Sequence, residues 1–368
     1  KAQGDHGPAY YGIGAALQAK GKDTEAIDAY KAALAYRPDL GQAHYALDGL
    51  LRAAGRGGEI ADAAKKALAG SPNAGWAHRN YAHSLWAQGE REEALKHYQS
   101  AIELDDTDAV AYHDYGIAKG WLRDWKSAIS LLQRACALAP NEGSYRSSLG
   151  WVLSSMGDRG GAIREFGEAV RLDPTLFAAH DQLGSALQAA GDLNGAQESF
   201  VKAILADPDH GNRIAYANLG RLVGTRMDRA NAEAFYKNTI KTGTRAGRVA
   251  FLQALAASLA TSKQDYEGAL EAVRSARKLD SNNASLWVLD SVLLRITHKI
   301  DAAIDAARHA IGIAADSPAG HCQLGFGLLV QGEFDAAVKS FKTGHELGTA
   351  AKWNQPTDAW LARAEQYA

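Results

Sequence analysis

Residues 142–174 read EGSYRSSLGWVLSSMGDRGGAIREFGEAVRLDP, and residues 175–208 read TLFAAHDQLGSALQAAGDLNGAQESFVKAILADP. The second stretch repeats the first at an offset of 34: Leu149-Gly150 returns as Leu183-Gly184, and Gly157-Asp158 as Gly191-Asp192. Ala162, Phe166, Ala169 and Pro174 return as Ala196, Phe200, Ala203 and Pro208. A fixed period of this size marks a stacked-repeat architecture.

The lattice runs well beyond these two copies. Steps of 34 from Ala33 reach Ala67, Ala101, Ala135, Ala169 and Ala203. The closing positions are Pro38, Pro72, Asp106, Pro140, Pro174 and Pro208. Each copy predicts a helix A, a tight turn and an antiparallel helix B. Glycine in the Leu-Gly pair lets helix B approach closely. Gly-Asp ends helix A in a left-handed cap, and proline closes helix B. One such pair cannot bury its own apolar face, so neighbours must stack.

The pattern of an aromatic or His, then Leu-Gly, Ala, an aromatic, Ala and Pro resembles the tetratricopeptide repeat over nearly the whole chain. The resemblance implies an all-α, right-handed α-solenoid of about ten stacked helix-turn-helix repeats. The repeats are expected at 7–40, 41–74, 75–108, 109–142, 143–176, 177–210, 213–246, 250–283, 284–317 and 318–351. The second is degenerate, with Asp48 at the Gly site and Ile60 at an Ala site. After Pro208 the register slips by two residues, the seventh repeat closes on Lys241-Thr242-Gly243-Thr244, and Gly247–Val249 reads as an insertion. Within 352–368, Thr357 is the expected N-cap of a short capping helix whose Trp360, Leu361, Ala364 and Tyr367 share one face. Residues 1–6 read as the remnant of a preceding repeat, which suggests a C-terminal piece of a longer protein.

Composition excludes several classes. The net charge is −2 with both signs interspersed, so there is no concentrated basic footprint for nucleic acid. No apolar run reaches the ~18 residues of a membrane span. The two cysteines, Cys136 and Cys322, lie about five repeats apart and read as buried small side chains. That usage suits a reducing, cytoplasmic compartment.

No catalytic, metal or cofactor site is expected. His44, His78, His180 and His321 stand at the fourth position of a helix A, where other repeats carry Tyr10, Tyr112, Tyr216 or Trp287. That substitution pattern reads as a shared packing role. Metal binding would need converging ligands, and no HExxH or Cys/His cluster occurs. The glycine-rich segments 55–58 and 157–161 follow helices and lack the lysine of a phosphate loop, so they are turns.

The family resemblance implies that set positions of helix A line a concave surface. In the third repeat these are Trp76, Arg79, Asn80, His83 and Trp86. The fourth contributes His113, Asp114 and Trp121, and the fifth Ser148 and Trp151. The sixth and seventh add Asp181, Gln182, Asn218 and Arg221. The amides and hydroxyls suit an extended peptide backbone. The tryptophans would either anchor a partner or fill the bend between adjacent helices. The fifth position (Tyr11, Tyr45, Arg79, His113) has no lysine, so a clamp on a chaperone's C-terminal carboxylate is not expected. The function expected is a non-catalytic protein–protein interaction scaffold holding a partner's peptide or helix.

Two other readings remain open. Gly344-His345-Glu346-Leu347-Gly348, Trp353-Asn354-Gln355-Pro356 and Trp360 are similar to the end of the repeat region behind the catalytic domain of bacterial serine/threonine protein kinases. That likeness implies a regulatory tail, with no kinase catalytic motif in this chain. A structural subunit that self-associates through the ends of the array is the third.

Overall fold

In a computed structural model, residues 6–206, 213–240 and 243–368 are described. Residues 1–5, Pro208 with the register slip behind it, and Lys241-Thr242 lie outside these. The described residues form twenty-one α-helices, one π-helical turn and no strand. They are stacked helix-turn-helix repeats, and the chain divides into two compact bodies, 1–173 and 174–368.

The first body holds five helix pairs. These are α1 Gly7–Ala19 with α2 Asp23–Tyr36, α3 Gly41–Ala53 with α4 Gly57–Gly70, α5 Gly75–Gln88 with α6 Arg91–Leu104, α7 Ala109–Trp121 with α8 Trp125–Leu138, and α9 Gly143–Met156 with α10 Arg159–Leu172. α2, α4, α6 and α8 each also pack on the first helix of the next pair. The second body begins with α11 Phe177–Ala190, α12 Leu193–Ala206, α13 Arg213–Arg226 and α14 Arg229–Phe235, which runs into the π turn Tyr236–Ile240. It continues with α15 Arg245–Ser262, α16 Tyr266–Leu279, α17 Ala284–Ile296, α18 Ile300–Ile313, α19 Pro318–Gln331, α20 Phe334–Ala350 and α21 Thr357–Glu365.

Three devices generate this repetition. First, a bare backbone in helix A seats a ring from helix B. A Cβ on Gly150 would lie 2.8 Å from the Phe166 ring, and one on Gly184 2.7 Å from Phe200. Second, the turn is a joint cap. Gly157 and Gly191 end helix A at φ 98° and 89°, and the following Asp158 and Asp192 each accept the backbone N–H three residues on at 2.9 Å. Third, the fourth residue of helix A binds a carbonyl six residues back, at the end of the preceding helix B. His44, His78 and His180 reach the carbonyls of Pro38, Pro72 and Pro174 at 2.8, 3.0 and 3.1 Å. Trp287 Nε1 does the same to Ser281 at 2.9 Å. The shared role of histidine and aromatics is thus packing plus this one hydrogen bond. All six lattice alanines from Ala33 to Ala203 are fully buried, as are Cys136 and Cys322.

The left-handed turn residue recurs even where the sequence has no glycine. Arg123, Gln264 and His298 occupy it at φ 61°, 53° and 59°.

Two repeats depart from the pattern. Gly247–Val249 lies in the first turn of α15, an 18-residue helix. α13 packs along α15 and makes little contact with α14. Its Gly220 faces the Phe251 carbonyl and Ala254 of α15, not a ring of α14. In the ninth repeat, Asp290 stands where Leu149, Leu183 and Leu324 stand elsewhere, and Ala307 replaces the ring. Arg277 of α16 is ion-paired to Asp290 and lies over Trp287. Asp290 is 2% exposed, and burial pushes its pKa up against the opposing pull of Arg277.

At the C-terminal end Pro356 takes the cap position and Thr357 opens α21, contrary to the expected Thr357 cap. The Thr357 hydroxyl instead meets His345 Nδ1 at 2.9 Å. Trp360 packs edge-on to Phe326 and Trp353, and Gly344 makes room for Cys322. Of the residues that carry the kinase likeness, Gly344, Gly348, Trp353 and Trp360 pack against their neighbours, whereas Glu346, Asn354, Gln355 and Pro356 are exposed.

Arg123→Gly should raise stability by about 1 kcal/mol in urea unfolding, since a non-glycine left-handed residue costs ~1–2 kcal/mol; no gain would show the position unstrained. Arg277→Met should cost about 3–5 kcal/mol by stranding Asp290. Adding Asp290→Leu should recover most of that loss, and failure to recover would mean the arginine stem, not the charge, is what matters.

Candidate functional site

The first helices of the repeats carry the polar residues that a core would not select. In the first body, α3, α5, α7 and α9 present them as a ladder of linked pairs. Arg52 holds Asp48 through Nε–H at 2.7 Å and Nη2–H at 3.1 Å. Its Nη1–H reaches His83 Nε2 on α5 at 3.0 Å. A ring nitrogen that accepts from a guanidinium belongs to a neutral imidazole. Burial first, and Arg52 second, push the His83 pKa down. On α7, His113 Nδ1 lies 3.1 Å from Asp114 and its Nε2 2.9 Å from the Ser148 hydroxyl of α9. The same ring stacks on Tyr145, centroids 4.7 Å apart.

Arg79 behaves differently from its expected outward role. Its Nη1 donates to both oxygens of Asp108 at 3.0 and 2.8 Å, and the two side chains are only 12% and 13% exposed. Asp108 is itself the N-cap of α7, accepting from Val110 and Ala111. Arg79 thus fastens one repeat to the next. Asn80 is half-buried and has no side-chain partner among the described residues.

The four tryptophans separate by environment. Trp76 is half-buried against Gly41 and His44. Trp86 packs against the core of the third and fourth repeats, with the Arg91 guanidinium over its ring. Trp151 fills the hollow at Gly120, where a Cβ would lie 2.8 Å from the indole. Trp121 alone of the four is open, 65% exposed, its ring tilted 45° against Trp151 at 5.3 Å. Three therefore fill the bend between helices, and one is presented. The sequence reading did not place Tyr45 or Asp48-Arg52 in the site. Tyr45 on α3 is 68% exposed. Its signal was available, since it holds the same helix position as Arg79 and His113.

In the second body, Asp181 on α11 is buried and accepts from Asn218 Nδ2 of α13 at 3.0 Å. Asn218 Oδ1 in turn accepts from Arg221. Burial pushes the Asp181 pKa up, against the Asn218 bond. Gln182 is exposed. Between α13 and α15 lies a recess of about 490 Å³, floored by Ala217, Ala250, Ala254 and Ala257 and edged by Arg213, Ile214, Asn218, Arg221 and Gln253. Reading α15 as starting at residue 250 hid this recess.

The arrangement offers hydrogen-bonding side chains and one open indole, without converging groups for chemistry. No group of three His, Cys, Asp or Glu among the described residues could hold a metal. Among the described residues no helix is long and apolar enough to cross a membrane.

A stack of helix-turn-helix repeats with one polar-lined helix per repeat is the architecture of a repeat scaffold. Models of the tetratricopeptide repeat match residues 75–108, and residues 7–40 and 177–210. The chain thus contains tetratricopeptide repeats, as its period and lattice suggest. Among solved structures, MamA is 24% identical, with 56% of this chain and 93% of that chain covered at a TM-score of 0.36. Yeast Tom70 is 14% identical, with 98% of this chain and 95% of that chain covered at a TM-score of 0.41. Overlays this loose carry no argument about the site. No curated protein sequence matches the chain.

Burial lowers the pKa of His44, His83, His97 and His180. A ring that stays neutral when folded but protonates when unfolded favours the fold fully above its ordinary value of about 6.5. That contribution is lost as pH falls below this toward the folded-state value. Melting at about pH 5.5 should therefore come a few degrees below melting at about pH 7.5, and His83→Gln should narrow the gap. Identical melting at both pH values would rule out this linkage.

Proposed function

We propose that this chain is a non-catalytic scaffold that holds a segment of a partner protein along the first helices of its repeats. Tetratricopeptide-repeat proteins generally mediate protein–protein contacts, and the lack of converging catalytic groups fits that role. The observation that carries the reading is Trp121. An indole 65% exposed beside the linked side chains of α7 and α9 is a large apolar surface left out of the core. Buried aromatic anchors of this kind dominate interface energetics. Asn80 and Ser148 would bond the partner's backbone, and Tyr45 would extend the aromatic surface. In the second body Gln182, Asn218 and Arg221 offer the same chemistry. Because both hydrogen-bonding valences of a peptide group can be met by such side chains, the bound segment would be extended.

The test is capture from the native lysate by the full chain, with variants compared. Trp121→Ala should reduce the captured partner about tenfold or more, by loss of a hot-spot contact, with helicity and melting unchanged. Arg79→Ala should instead lower melting, because it strands Asp108. Partners retained by Trp121→Ala would move the site off this face; a fall in melting equal to the loss of capture would make Trp121 a packing residue.

A further inference from the structure

We propose that the recess between α13 and α15 takes an acidic segment of a partner protein, with two side-chain carboxylates four residues apart held by Arg213 and Arg221. This rests on the scaffold reading and adds the chemistry of the segment.

The recess exists because α13 and α15 cross closely. A Cβ on Gly224 would lie 2.6 Å from the Ser258 Cβ and 3.1 Å from the Leu255 carbonyl. The adjoining faces carry alanines, so the floor is shallow and apolar. Both arginines are exposed on its edge, and no carboxylate lines it among the described residues. The Arg213 side chain has no hydrogen bond or ion pair among the described residues. Arg221 is held by Asn218, which is held by the buried Asp181. That chain restricts one cation in advance and lowers the ordering cost of binding.

The spacing selects the ligand. Residues 213 and 221 are eight apart on one helix, about 12 Å at ~1.5 Å per residue. An extended peptide rises ~3.3 Å per residue with side chains alternating. Carboxylates on residues four apart therefore share a side and span about 13 Å. Ile214, 66% exposed, offers an apolar contact between them, and Asn218 and Gln253 match peptide groups. Two cations in a chain of net charge −2 are too few to hold a nucleic-acid backbone, whose binding needs many phosphate contacts.

The probe is an octapeptide with glutamates at its second and sixth positions and isoleucine at its fourth, on the same side and between them. It carries fluorescein at the N-terminus and an amide at the C-terminus, so no terminal carboxylate competes. Anisotropy with the full chain at low salt should show binding that weakens as salt rises. The glutamine counterpart should bind about tenfold more weakly or worse. Arg213→Gln and Arg221→Gln should each weaken the glutamate peptide about fivefold. Arg308→Gln, an exposed arginine in another repeat, should leave it unchanged, and circular dichroism should show all three variants folded. Equal binding of the two peptides, wild-type binding by the recess variants, or no binding at all would overturn the proposal. An oligonucleotide of equal charge that competes as well as the peptide would overturn it too. If Trp121-dependent capture from lysate persists while the peptide fails, only this inference falls; if both fail, the scaffold reading falls with it.

Discussion

In repeats one, five, six and ten an aromatic ring from the second helix rests on the bare backbone of the first, as Phe166 does on Gly150 and Phe341 on Gly325, and in repeat four Leu132 takes the ring's place on Gly116. That contact sets how near the two helices lie. Once set, the pair still has an apolar face it cannot cover, and the first helix of the next repeat covers it. The carbonyl clamp from His44, His78 and His180 then fixes where that next helix begins. Distance, angle and start point are thus decided repeat by repeat, by contacts that each span less than two repeats. Where the ring contact is missing the packing differs from case to case: repeat nine has Ala307 at the ring position, and α13 turns its Gly220 to α15.

This economy leaves the first helices with side chains that the core does not need. Along α3, α5, α7 and α9 those side chains link to one another across repeats. Some of the links are structural: Arg79 to Asp108 is both an ion pair and a helix cap. Others hold polar groups in fixed poses at low exposure, as His113 is held between Asp114 and Ser148. A surface with its rotamers already set binds with less ordering cost. Trp121 is the exception in this setting, a large ring with little of its area covered.

Much of the candidate site was legible from position alone, because the repeat assigns every residue a place on its helix. Asp181, Asn218, His113 and Ser148 were all assigned to lining positions that way, and the hydrogen bonds Asn218–Asp181 and His113–Ser148 emerged only from the structure. What position could not supply was partnership. Arg79 has the same helix position as Tyr45, yet one is buried in an ion pair and the other exposed, because Asp108 happens to face the first. The tryptophans divide for the same reason: Gly120 opens a hollow for Trp151, and nothing does so for Trp121. The aspartate after each turn glycine was read as part of the end of helix A, whereas its carboxylate caps helix B.

The sequence by itself determined the period, the helix pair and its stacking, since these follow from local residue chemistry repeated at a fixed step. Only the tertiary structure decided which polar residues are free and which are spent on the chain, and where two helices cross closely enough to open the α13–α15 recess. Those outcomes depend on side chains about thirty residues apart in sequence, as in the step from Arg79 to Asp108. A local pattern constrains each partner separately; whether they meet is set by the distance and angle between packed helices.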